Sequence, residues 1–505
     1  MARIAVIGAG MGAMAAAARL AVAGHRVTVY ERTATYGGAV GRFERDGFAF
    51  DTGPGLLHLP AVYRDLFVKT GKEPLERCVE MTQVDPAVRH VFADGTAVSL
   101  PNASRAGVVS ALDAALGAGA GERWGDFLTR ARDAWDRSRR PLLEEPLPAD
   151  VSPFRRDPYP ALKTGLLRRA ATTLAEVGGR ELRDPRLAAL LESYALAYGF
   201  DPATAPASAA VLPYMEQTFG SWYVTGGIRA LADAVYERCR ARGVDFVFGT
   251  EVTGVVAEGG RAAGLELADG TRVDADQVVA GAPVPALYRD QVLEWEGQDE
   301  WPRHQEAVRT GRVTLCLALR GARPADAVHR TVVHSTDRAD ELDGLAHGRL
   351  CERPTVTVLR PDDARLRPDE GHEAITVTAT VAAGGAWSSD NLWGEGGADT
   401  AVSAFADRML QAAEAAVPGL RERLLWREVR TPADTFRETG TYRVPGPALA
   451  GAGGRLLPAA NAAPLPGLHF AGGWAHPGGG LAHAGMSGAL VAGLIVEGAA
   501  FRGSR

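Results

Sequence analysis

Fifteen residues from Ile4 to Ala18 carry no charge, and the apolar run breaks at Arg19. A bilayer-crossing helix needs about 20 such residues, and Arg3 alone is a poor charged flank for a leader peptide, so a membrane address is not the reading. The internal order of the run predicts a strand over 4–7, a glycine turn, an alanine-rich helix and a second strand over 27–30 ending at Glu31. Within "GAGMGA", Gly8 permits a tight turn, Gly10 lets the backbone approach a pyrophosphate, and the small Ala13 allows close helix-to-strand packing. Met11 and Gly12 complete the turn, where the helix amino terminus points its N–H groups at phosphates. Glu31 lies 23 residues after Gly8, close to the interval of about 20 at which an acid accepts hydrogen bonds from ribose hydroxyls.

Beyond Glu31, glycines at 37, 38, 41 and 53 punctuate two short strands around Phe43 and Phe48–Phe50, a density that suits backbone packed against a ligand or a surface hairpin. From 102 to about 213 apolar residues recur at three and four spacing, predicting helices, with a proline-rich loop over 139–160. A helix over 228–242 and strands over 245–248, 252–258, 262–267 and 277–280 read as a return to the nucleotide-binding layer. Four alternating segments between 312 and 382 and a helix over about 400–416 predict a separate antiparallel sheet with a packing helix. A short strand, a glycine-rich turn and a long small-residue helix close the chain.

With 505 residues, the chain has material for about two to four domains. Its 46% apolar and 23% charged residues describe an ordinary globular protein, and a net charge of −6 without a basic run argues against nucleic-acid binding. Cys78, Cys239, Cys316 and Cys351 show no C-x-x-C spacing, so neither disulfides nor zinc is expected, and a reducing cytoplasm is the expected compartment.

Several separated segments together resemble the bacterial phytoene desaturase (carotenoid desaturase) family, FAD-dependent enzymes within the amine-oxidase-like flavoproteins. They are Gly8 to Ala13 with Glu31, "GGAVGRFERDGFAFDTGP", "SWYVTGGIRALADAV" with "GTEVTGVV", "GTYRVPGPAL" and "PLPGLHFAGGWAHPGGG". The resemblance implies an α/β fold in which a Rossmann-type FAD-binding domain is interleaved with a substrate domain of antiparallel sheet plus helices. The expected division gives residues 1–101, 216–290 and 431–505 to the FAD domain, 102–215 to a helical substrate- or membrane-facing region and 291–430 to the sheet. By the same resemblance, Glu31 lies at the adenosine ribose, Arg32 beside it is a cofactor-binding residue, Val252 holds adenine with its backbone, and Gly37 and Gly38 pass beneath the dinucleotide. Gly472, Gly473, Gly480 and Leu481 bracket the ribityl chain and flavin. Three departures bear on function, one being that Trp474 and His476 occupy the turn before the final glycine cluster, where related proteins vary. Ala39 stands where the family usually carries Arg or Lys, leaving Arg42 three residues later as a candidate phosphate contact, and Gly480-Leu481-Ala482 replaces the usual Gly-Ile-Pro.

The implied reaction moves a hydride from an allylic C–H of an apolar, isoprenoid or polyene substrate to flavin N5. Open beside it are oxidation, desaturation or isomerisation of a smaller natural-product intermediate, and a flavin-binding scaffold without turnover. His483 and His476 are candidate proton acceptors, since neutral imidazole accepts protons near pH 7, and no carboxylate between them suggests a metal. Tyr442, with Arg443, falls in a segment resembling the family's substrate-side loop, and it is either a substrate contact or a packing residue, as is His58. Basic and apolar residues over 155–169 predict a short helix that either docks peripherally on an anionic membrane or is simply solvated. The electron acceptor is left open.

Overall fold

The strand, helix and strand at the start form as the pattern predicts: β1 spans Arg3–Ile7, α1 Met11–Val22 and β2 Arg26–Tyr30. The computed structural model describes residues 1–164, 167–293, 310–383 and 397–503. β1 and β2 pair in parallel, and the sheet continues with Asp245–Val247 beyond β2 and with Gln277–Ala280 and then Leu468–Phe470 beyond β1, all parallel. A parallel sheet must be covered on both faces. α1 meets this need with small residues, Ala15 to Ala18 being fully buried, and packs closely on the last helix, Leu481–Glu497. A side chain at Gly488 of that helix would lie 2.5 Å from the Gly12 carbonyl oxygen, so the two backbones nearly touch.

A seven-stranded sheet forms the second layer, in the order Leu424–Arg430, Thr310–Arg320, His372–Ala382, Val356–Leu359, Arg330–Val333, Val88–Val91 and Ala97–Leu100. Its aliphatic face carries Leu315, Val356, Val358 and Val377 and is covered by Phe405, Ala406 and Met409 of the helix Gly397–Ala413. Two expectations are corrected here. Arg330–Val333 pairs in parallel with Val88–Val91, so the sheet is mixed rather than antiparallel, and the first 101 residues do not all belong to the nucleotide-binding layer. Such a pairing joins segments far apart in the chain, and nothing in the local pattern of Val88–Val91 distinguishes one sheet from the other.

Helices Arg105–Leu116, Ala120–Arg139, Pro185–Ala197 and Val211–Phe219 pack around Trp124, Phe127 and Leu190 to make the third region. The helix expected over 155–169 is also corrected: a short 3₁₀ turn, Ser152–Arg155, is followed by antiparallel strands Leu162–Thr164 and Leu167–Arg169. Pro158 and Pro160 account for this, since each removes a backbone donor and forces the preceding residue out of the helical region. Among the described residues no helix is long and apolar enough to cross a membrane.

Candidate functional site

The turn after β1 meets the requirements of an anion cradle. Gly8 sits at φ +85° and donates its N–H to the Tyr30 carbonyl oxygen at 2.8 Å. Gly10 caps α1 in an extended conformation with no side chain accepting from the first turn, so the free N–H groups there are left for a ligand. A Cβ at Gly12 would lie 2.5 Å from the Gly472 Cα, while Met11 and Gly12 both line the adjoining cavity. Ala13 is not on the cavity wall. It packs behind the turn, where a side chain at Gly281 would come within 2.5 Å of its Cβ, so its part is to admit close packing rather than to touch a ligand.

Glu31 is 8% exposed and already employed. One carboxylate oxygen accepts from the Ala9 N–H at 2.8 Å and the other from the Thr33 N–H and hydroxyl, both at 2.9 Å. It therefore ties the glycine turn to β2 and presents its remaining lone pairs to the cavity. Arg32 lies beside it on the wall and donates to the Glu438 carbonyl oxygen at 3.0 Å. Val252, the first residue of the strand Val252–Glu258, borders the same space.

Gly37 and Gly38 have φ of +106° and +59°, and the Gly37 N–H donates to the Ala9 carbonyl oxygen at 2.8 Å. A Cβ at Gly38 would lie 3.1 Å from the Gly10 Cα, which places the paired glycines directly under the first turn. Arg42 is on the wall but ion-paired to Glu44 at 2.7 Å. A second guanidinium, missed in the sequence, enters from the helix Ile228–Ala241. Arg229 donates to the Tyr36 carbonyl oxygen at 2.6 Å and the Thr35 hydroxyl at 2.9 Å, and lies 4.3 Å over the Tyr36 ring. Asp51 anchors that helix by accepting from the Ile228 and Arg229 N–H groups at 2.8 and 3.1 Å, and burial pushes its carboxyl up to about 6.

The end of the chain supplies the opposite wall. Gly472, at φ +100°, donates its N–H to the Ser487 hydroxyl at 3.0 Å, and Gly480 opens the last helix without a side-chain cap. Gly472, Gly473, Gly480, Leu481 and His483 all line the cavity. His483 is 7% exposed, and burial, aided by the neighbouring His476, drives its pKa down to about 4, so its imidazole is neutral at pH 7. His476 is fully buried and absent from the wall, with Nε2 at 2.9 Å from the Glu145 carbonyl oxygen. Because a carbonyl only accepts, Nε2 carries the proton, and the expectation that His476 serves as a proton acceptor at the site is corrected to a structural tie. Tyr442 is corrected likewise: its ring stacks on Phe436 at 4.3 Å and packs against the sheet core, while its neighbours Thr441 and Arg443 reach the cavity.

These walls line a cavity of about 1040 Å³ running from the glycine turn to the large sheet. At the sheet end stand groups that sequence reasoning missed or left open. Glu216 and Arg330 form a buried ion pair at 2.8 Å, and His58 Nε2 is 3.5 Å from the other Glu216 oxygen. His58 is shifted below the usual imidazole range by burial, with Glu216 opposing. Among the described residues no cluster of three or more His, Cys, Asp or Glu could hold a metal ion. The observed features suit an extended dinucleotide: uncapped helix amino termini at two ends, bare backbone where a side chain would collide, and a buried acid at the first turn.

Comparison with known proteins agrees with that geometry. Residues 14–496 match the model of the flavin containing amine oxidoreductase family. The zeta-carotene-forming phytoene desaturase of Myxococcus xanthus is 29% identical over 382 residues, covering 75% of this chain and 72% of that protein. The 4,4'-diapolycopene oxygenase of a Methylomonas species is 28% identical over 508 residues, with 98% of each chain covered. An oxidoreductase from Methanosarcina mazei superposes with a TM-score of 0.65 at 17% identity over 97% of this chain and 99% of that one, which supports the fold.

Proposed function

This chain belongs to the flavin-containing amine oxidoreductase family and uses FAD, and from there we propose that it dehydrogenates an apolar isoprenoid or polyene. The observation that carries this reading is a continuous cavity that joins the glycine turn to a space large enough for a bulky chain-like substrate. Bound FAD supplies a two-electron acceptor for hydride. The residues of the chain do the rest. The first turn of α1 and the paired glycines would hold the pyrophosphate, and the amino terminus of the last helix would favour negative charge on the cofactor.

In the proposed reaction one C–H bond of the substrate breaks with its electron pair leaving as hydride, and the adjacent carbon then releases a proton to form the double bond. His483, neutral and facing the cavity, accepts that proton, and because an allylic cation is strongly acidic at the neighbouring C–H, an imidazole held at low basicity is sufficient. The relatives named as desaturases of carotenoids support this substrate class. The test is anaerobic absorbance of the FAD-loaded protein after adding isoprenoid polyenes in lipid vesicles, phytoene first and polyprenyl acids second. Loss of the oxidised-flavin band is expected. Binding of these compounds without any bleaching would overturn the reading.

A further inference from the structure

The large sheet has two chemically different faces. Toward the helix Gly397–Ala413 it is aliphatic. Toward the cavity, Arg430, Thr314, Thr378, Thr357 and Val332 stand opposite one another on five neighbouring strands in a single cross-strand row. Arg312 and Thr380 form a pair in the adjacent row. A wall built to hold only hydrocarbon has no use for these groups, since valine fills the same shape as threonine without a hydroxyl to desolvate.

The hydroxyls are only partly used within the protein. Thr380 donates to the Leu196 carbonyl oxygen at 2.9 Å, Thr314 and Thr378 face each other at 3.4 Å, and the Thr357 hydroxyl makes no hydrogen bond among the described residues. The charges are unequal. Arg330 is matched by Glu216 and Arg430 by Glu438, whereas Arg312 donates to the Ala197 carbonyl oxygen and has no ion pair among the described residues. Arg312 is partly buried, and desolvation by the surrounding protein lowers its pKa. An unmatched, partly desolvated guanidinium on a cavity wall is stabilised most by an anion that accepts two of its N–H groups, which a carboxylate does.

We propose that the substrate carries a carboxylate at one end, seated on Arg312 with the threonine row beside it, so that the enzyme acts on an isoprenoid or polyene acid rather than a plain hydrocarbon. This rests on the dehydrogenase reading above for what happens at the other end of the chain.

The experiment is an anaerobic binding titration of the FAD-loaded protein, read from the perturbation of the flavin spectrum, with geranylgeranoic acid and geranylgeraniol as probes. The acid is expected to bind at least about tenfold more tightly than the alcohol. Arg312→Gln should bring the two within about twofold, Arg312→Lys, which keeps the charge, should retain a preference, and Thr357→Val should weaken the acid alone. Equal affinities in the wild type, or a preference that survives Arg312→Gln, overturn the inference. Should Arg312→Gln fail to fold, Arg312→Met and Thr357→Val decide it, since unchanged acid affinity in both overturns the seat. Bleaching by phytoene with no acid preference leaves the dehydrogenase reading and removes this one, whereas an acid preference with no bleaching by any polyene keeps the seat and removes the dehydrogenase reading.

Discussion

Two histidines seven positions apart look alike in the sequence and part company in the structure. His483 opens onto the cavity, and His476 donates to the Glu145 carbonyl oxygen behind the wall. Their variants should therefore separate. His483→Ala is expected to slow single-turnover flavin bleaching about 100-fold, the lower range for loss of a positioned base, while FAD content stays unchanged. His476→Ala should leave that rate near wild type and lower the denaturant midpoint by the equivalent of about 1–3 kcal/mol, because the Glu145 carbonyl oxygen loses its donor. If both variants slow bleaching equally, the division of roles is wrong. Nothing in "GGWAHPGGGLAHAG" marks one ring as facing inward and the other outward. That distinction arises because the last helix starts at Leu481 and sets His483 on its first turn, whereas His476 lies in the segment before it.

At the level of elements, glycines that read identically have separable physical reasons. In α1 and its cap, Gly12 faces protein: a Cβ there meets the Gly472 Cα at 2.5 Å and the Ala484 carbonyl oxygen at 2.8 Å. Gly10 faces open space, with the nearest atom to a Cβ at 3.9 Å and an ordinary φ of −72°. Gly12→Ala should accordingly force α1 and the last helix apart and cost about 1–3 kcal/mol of stability with or without cofactor. Gly10→Ala should leave the apoprotein's thermal midpoint close to wild type and reduce FAD retention through purification, measured by absorbance. A Gly10→Ala protein that keeps full FAD would remove the case for close approach at that residue. The β1, α1 and β2 unit was legible because its contacts are local and its small residues have few other uses. The threonine face was half legible, since "TVTV" and "TVTATV" announce alternation. Which of the two faces meets a cavity depends on the helix Gly397–Ala413 and on strands brought from elsewhere. Residues 155–169 read as a helix because basic and apolar residues mix as readily in short paired strands, while Pro158 and Pro160 exclude helix in the first part of the segment.

Over the whole molecule, burial sets two groups of titrating side chains against each other. His329, His469, His476 and His483 are held near 4 and His334 near 3, all lowered first by desolvation. Asp51 and Asp157 are raised to about 6 and Glu341 to about 7, again by desolvation. A histidine lowered on folding contributes stability that is present above its unfolded value near 6.5 and is lost as pH falls toward 4, because the unfolded chain binds the proton first. A raised carboxyl acts in the opposite sense, contributing stability that is present at acid pH and lost as pH rises through its folded value. Five histidines outnumber three carboxyls in this window, so the urea midpoint is expected to fall steadily between pH 6.5 and 4. Glu341→Gln tests the balance directly. Glu341 accepts from the Thr355 N–H and hydroxyl at 2.6 and 2.8 Å, and removing its titration removes one of the groups that opposes acid unfolding. The midpoint of that variant should drop more steeply than wild type from pH 7 to 4.5. A shallower slope would mean that the buried carboxyl is ionised in the folded protein at neutral pH and that the Thr355 donors, rather than desolvation, govern it.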